Sequence, residues 1–174
     1  IAVDADHDKV DALRNRLYGM GLYGTRVTVL VGNTAAYPFS PYVASLVVSE
    51  IPDSLEGAGE HALAQAVFHT LRPYGGVACA WGSLADRQGI QEIVQDGAFP
   101  GATVRETGDL VVLARAGPLP GAADWSHAEA NAASTGASTD EFIRSPMAVL
   151  WFDAAQRWHK YPGQVQVRVA GGRV

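Results

Sequence analysis

Thr103-Val104-Arg105-Glu106-Thr107-Gly108-Asp109-Leu110-Val111-Val112-Leu113-Ala114-Arg115 consists of two β-type runs joined by a two-residue Gly-Asp loop. Loops of that length and composition favour the primed turns whose twist matches the flanking strands, so the stretch predicts an antiparallel hairpin. Everything upstream of it predicts parallel pairing. Val10, Leu13, Leu17 and Met20 recur at helical spacing behind the possible N-caps Asp6 and Asp8, which predicts a helix over 7–20 packed on a sheet. Residues 26–32, a β-branched run ended by Gly32, and the apolar run 43–48 are both read as strands buried on both faces. Ala62, Leu63, Val67, Phe68 and Leu71 mark a second helix over 58–72, stopped by Pro73 and Gly75-Gly76, and a strand over 77–81 follows at once. A short third helix over 86–96 presents Ile90, Ile93 and Val94. Strand, helix and strand at this spacing require parallel crossovers. The expected fold class is therefore α/β, with a mostly parallel sheet that closes on an antiparallel hairpin.

The chain opens on Ile1-Ala2-Val3-Asp4-Ala5-Asp6, an apolar strand end that runs into an acidic pair and then into the first helix. In an open α/β sheet the ligand lies beyond the carboxyl ends of the strands, and an acid at the end of the second strand accepts hydrogen bonds from a ribose. Asp4 stands at that position. The glycine-rich turn that would precede it by about 20 residues has no room before Ile1, so the sequence reads as starting inside a strand.

Bulk properties narrow the function classes. With 174 residues, 48% hydrophobic and 18% charged, the chain can bury the core of one ordinary domain and part of another. A net charge of -5, with Lys9 and Lys160 the only lysines, offers no basic stripe to displace phosphate counterions, which argues against nucleic acid as the partner. No run approaches the roughly 20 apolar residues that cross a bilayer, so no membrane partner is expected. Cys79 is the single cysteine and lies in an apolar run, where it reads as a small hydrophobe.

After the hairpin, Gly117-Pro118-Leu119-Pro120-Gly121 breaks the chain. The expected organisation is a Rossmann-like domain over 1–116, a linker over 117–123 and a second unit over 124–174. That second unit begins with an irregular segment to about residue 146, which reads as a docking or leader segment. It ends with Val165, Val167 and Val169 alternating with Gln166 and Arg168 before Gly171-Gly172, a strand entering a tight turn. A lone strand leaves its backbone groups unpaired, so its partner is expected further along a longer chain. Both ends read as cut.

Residues 1–116 resemble the class I S-adenosylmethionine-dependent methyltransferases, joined from their second strand onward. "IAVDAD" is similar to the family's second-strand end, "VTVLVGNTAAYPF" to its third strand and loop, "ASLVVSEIPD" to its fourth strand, and "LRPYGGVACAW" to a helix end and fifth strand. The resemblance implies S-adenosylmethionine as cofactor of the full-length protein, with Asp4 on the ribose, the Ala5 backbone beside the adenine, Asn33 and Thr34 at the adenine edge, and Ser49 toward the methyl group. Asn33 stands where the family usually has an acid. The family's first strand and glycine-rich loop are absent from this sequence, which implies that the chain as it stands is inactive. The tail, from "DWSHAEANAASTGASTDEFIRSPMAVLWF" to "VQVRVAGGRV", resembles the leading segment of a pyrroloquinoline-quinone-like β-propeller, carried by Trp125, Asn131, Ser138, Pro146, Leu150 and Trp151. Localisation stays open, with cofactor supply favouring the cytoplasm.

Each candidate has a plain structural reading beside the functional one. Asp4 also suits a solvated strand end that starts a helix, and Asp4, Asp6, His7 and Asp8 suit a first helical turn better than a metal site. Asn33 and Thr34 also suit an ordinary turn. Glu50 is the nearest candidate base, and no catalytic residue is assigned, because methyl transfer from a sulfonium depends mainly on orientation. Two other functions remain open: an NAD-dependent oxidoreductase, which would use Asp4 the same way, and a non-catalytic scaffold supporting a propeller. The methyl acceptor is not specified by the sequence.

Overall fold

The computed structural model describes residues 1–33, 37–49, 59–81, 91, 92, 94, 97, 99–108, 110–142 and 168–173. The elements in chain order are β1 (Ala2–Asp4), α1 (His7–Gly19), β2 (Val29–Val31), β3 (Leu46–Ser49), α2 (Gly59–Thr70), β4 (Gly76–Trp81), β5 (Ala102–Thr107) and β6 (Leu110–Arg115). They form two sheets. β1 pairs with β2 in parallel, and the second sheet has the order β3-β4-β6-β5, with β3 parallel to β4 and the remaining pairs antiparallel. Parallel pairing upstream and an antiparallel close follow the sequence expectation, and Gly108 takes the positive φ of 60° that a primed turn needs at its first loop position. Of the expected third helix, Gln91, Glu92 and Val94 are helical, and the rest lies outside the described residues.

Asp6 caps α1: its carboxylate accepts the N–H groups of Asp8 and Lys9 at 2.9 and 3.2 Å, two of the donors that a helix start leaves unpaired. The buried stripe differs from the expected one. Val10 is buried, while Leu13 and Met20 are exposed at 39% and 60%. The contact face runs Val10, Arg14, Leu17, and the Arg14 Nε donates to the Val29 carbonyl at 3.0 Å. An arginine stem packs as hydrocarbon while its head finds a polar partner, so Arg14 serves where the sequence suggested Leu13.

The main core lies under α2. Phe68, Leu71, Phe99 and Leu113 are buried together, with Val47, Ala64, Ala78, Val94, Ala102 and Val104 packed around them. Side chains alternate across a strand, so Val47, Ala78, Leu113 and Val104 share one face, and Leu46, Val77, Ala114 and Thr103 share the other. β3 is therefore not buried on both faces as expected. Leu46 and Val48 are 61% and 54% exposed because, among the described residues, only the α2 face of this sheet is covered there.

Beyond β6 the described residues, 116–142 and 168–173, run through turns and isolated bridges. Within the described residues the end of the expected last strand has one partner: Val169 and Trp125 form an antiparallel bridge with two 2.9 Å bonds, and residues 165–167 lie outside the described residues. The tight turn is present, as Ala170 and Arg173 exchange two bonds across Gly171 and Gly172 at φ 57° and 72°.

Candidate functional site

The carboxyl ends of β1 and β2 are adjacent, since Asp4 is the register partner of Val31 and the Gly32 N–H donates to the Asp4 carbonyl at 3.0 Å. Asp4 Oδ1 accepts the Asp6 N–H at 2.8 Å, which fixes the carboxylate over the turn into α1. Oδ2 accepts no bond among the described residues. The turn Asp4-Ala5-Asp6 thus does two tasks with two acids: Asp6 starts the helix, and Asp4 presents one oriented acceptor at the strand end. Ala5 is exposed beside it, and Asn33, also exposed, follows the end of β2.

Tyr37 was not singled out from the sequence, yet it walls this corner. A Cβ placed on Gly32 would lie 2.9 Å from the Tyr37 ring and 3.8 Å from Val3, so the ring rests directly on the Gly32 backbone. Phe39 packs against Tyr37 with centroids 4.7 Å apart. The available signal was the small residue Gly32 followed by two closely spaced aromatics, which gives a ring room to fold back onto the strand end.

Ser49 ends β3, in register with Ala80 and on the other sheet. The structure brings Asp4, Ala5 and Asn33 to one corner, and it places Ser49 at the carboxyl end of a strand that is not bonded to β1 or β2. Thr34 and Glu50 lie outside the described residues. The corner as a whole offers a carboxylate acceptor, backbone groups at two strand ends and an aromatic wall. This set suits a hydroxyl-bearing ligand with a flat ring.

No family model and no curated protein sequence matches the chain. Solved structures do resemble it. A Methanococcus maripaludis protein assigned to the S-adenosyl-L-methionine-dependent methyltransferases superposes with a TM-score of 0.52 at 11% identity, over 66% of this chain and 65% of that one. A methyltransferase of the same cofactor dependence from Aquifex aeolicus gives 0.45 at 14% identity over 65% of each chain. A protein of Pyrococcus horikoshii gives 0.45 at 12% identity over 64% of this chain and 68% of that one. The chain spans 65% of the length of the first of these, just under two thirds. At such identity the likeness shows the fold: a mixed α/β sheet of the class I methyltransferase type.

Proposed function

We propose that the chain supplies the ribose and adenine side of an S-adenosylmethionine site in a methyltransferase domain. The observation that carries this reading is the Asp4 carboxylate, held by the Asp6 N–H and with no bond to its second oxygen among the described residues, at the carboxyl end of β1 in a fold of this type. Asp4 accepts from the ribose hydroxyls, the Ala5 backbone and the Asn33 amide meet the adenine edge, and Thr34 joins them there. The Tyr37 ring closes the pocket on the β2 side. Ser49 serves the reacting end from β3.

The residues present fit one half of the cofactor. A site for its methionine half falls between β1 and β3, each of which is bonded to a neighbouring strand on one side only among the described residues. A further strand set between them would complete the site. When bound, S-adenosylmethionine supplies an activated methyl group on a sulfur that leaves as a neutral sulfide. The work left to the protein is orientation and exclusion of water, which suits a site made of one fixed acceptor and a ring wall. Glu50 is the residue of this sequence nearest to Ser49 that can take a proton from a weakly nucleophilic acceptor.

The second unit belongs to the same reading as the junction to a propeller-like domain. Its support is the Trp125–Val169 bridge and the hairpin that follows it. Trp125, Asn131 and Ser138 are among the described residues, whereas Pro146, Leu150 and Trp151 are not.

Calorimetry with S-adenosylhomocysteine, S-adenosylmethionine and NAD on the full-length protein tests the function. Binding of the two adenosyl sulfur compounds, weakened in Asp4→Ala, is the expected result. Binding of NAD alone would move the chain to the oxidoreductases, and binding of none of the three would favour the scaffold.

A further inference from the structure

The end of the larger sheet opposite Ser49 carries two aromatic residues in the left-handed backbone region, Tyr42 at φ 60° and Tyr74 at φ 56°. Large side chains avoid this region, and where they occupy it the surrounding structure has to hold them there. Both precede strands of the sheet, Tyr42 before β3 and Tyr74 before β4. Both are fixed through the backbone: the Tyr42 N–H donates to the His69 carbonyl at 3.0 Å, and the Tyr74 N–H to the Gly117 carbonyl at 2.9 Å.

Each ring meets a different piece of the chain that follows the hairpin. Phe142 packs edge-on against Tyr42 with centroids 5.9 Å apart. Gly172 lies so close to Tyr74 that a Cβ there would collide with the ring, and only a glycine fits. Behind Tyr42 stands Arg115, the last residue of β6, on the buried face of that strand. Its guanidinium is 3.8 Å from the centroid of Phe68 and 5.3 Å from that of Tyr42, and Nη2 donates to the Phe68 carbonyl at 2.6 Å. Phe68 in turn stacks on Phe99, 4.9 Å away. A continuous row thus runs from the core through Phe68, Arg115 and Tyr42 to Phe142. Burial lowers the Arg115 pKa, and the charge of the Tyr42 hydroxyl opposes that change.

The pieces received by the two rings are also joined to each other. The Glu141 N–H donates to the Gly121 carbonyl at 2.7 Å, the Ala123 N–H to Asp140 at 3.0 Å, and the Gly171 N–H to the Asp124 carboxylate at 3.3 Å. With the Trp125–Val169 bridge, these bonds tie residues 121–142 and 168–173 into one body. Among the described residues that body shares no ladder with the sheet, and it meets the sheet at Tyr42 through Phe142 and at Tyr74 through Gly172.

We infer that this end of the sheet is an interaction surface for the chain's own C-terminal segment, with Tyr42 and Tyr74 as its two seats, and that the segment detaches without unfolding the sheet. The partner it takes is a turn-rich segment that offers one aromatic side chain to Tyr42 and one bare glycine backbone to Tyr74. The surface lies at the opposite end of β3 from Ser49, so what the segment carries is held away from the proposed cofactor site.

Hydrogen exchange on the whole chain, compared among Phe142→Ala, Tyr74→Gly and Tyr42→Gly, tests it. The glycine variants relieve the left-handed backbone while removing the ring, so a purely local role predicts a protein that is at least as stable and exchanges no faster. Seating predicts exchange at least tenfold faster for the Glu141 and Ala123 amides in Phe142→Ala, and for the Trp125 and Val169 amides in Tyr74→Gly. The β4–β6 ladder should keep its rates, and Tyr42→Phe and Tyr74→Phe should keep the wild-type pattern. Unchanged tail amides in these variants would overturn the inference, and so would equal acceleration in the ladder. If a glycine variant fails to fold, Phe142→Ala decides alone, because a ring 49% exposed is not part of the core.

Discussion

The two sheets differ in what holds them. The larger one has four strands, a helix on one face and a core of Phe68, Leu71, Phe99 and Leu113. The smaller one has two three-residue strands and rests on α1 through Val10, Val29 and the Arg14 bond. Two strands alone are marginally stable in water, so the smaller sheet depends on what packs against it. Yet it carries Asp4. The part of the molecule that holds the proposed ligand site is therefore the weaker part, and ligand binding should stabilise it more than the rest.

The largest effect expected from this contrast is Leu71→Ala. Leu71 is fully buried, and its loss should cost about 2–5 kcal/mol by transfer and cavity terms. Thermal unfolding followed by circular dichroism would show a large drop in Tm, and a drop of a degree or less would place the core elsewhere. Val10→Ala removes the side chain that joins α1 to the smaller sheet, at a cost bounded by the roughly 1.5–3 kcal/mol of a fully buried aliphatic. Here the contrast sharpens: amides of β1 and β2 should exchange faster while those of the β4–β6 ladder hold their rates. Uniform acceleration would mean that the two sheets unfold as one unit. In the full-length protein, Asp4→Ala should change stability little and weaken S-adenosylhomocysteine binding about 10- to 100-fold, the worth of one or two charge-assisted hydrogen bonds. Unchanged affinity would remove Asp4 from the site.

The same contrast explains what was legible in the sequence. The hairpin was legible because its turn chemistry is local: Gly108-Asp109 sets both register and direction. The strand-end acid was legible because β1 passes to α1 within three residues. Burial was not, because it depends on neighbours that periodicity cannot show. Leu46 and Val48 sit in a largely apolar run and are still exposed, since nothing described covers that face. Leu13 and Arg14 are alternative successors of Val10 at helical spacing, and residue type favoured Leu13. A carbonyl on β2 favoured Arg14. Tyr37 was missed for the same reason, because its role depends on Gly32 leaving the strand end bare.

The smallest expected effect separates the two acids of the opening turn. Asp6 accepts from the Asp8 and Lys9 N–H groups, so Asp6→Ala should cost about 1 kcal/mol as a lost N-cap. Its salt bridge to Lys9 is long, at 3.9 Å, and exposed, and adds little. Asp6 also gives its own N–H to Asp4, and alanine retains that donor. Asp6→Ala should therefore lower Tm by a few degrees and leave ligand affinity within about twofold, the reverse of what is expected for Asp4→Ala. If both variants lose affinity and stability together, the turn acts as a single structural element and Asp4 has no separate role as acceptor. Opposite responses would show that one strand end holds two acids with distinct tasks, one starting the helix and the other facing the ligand.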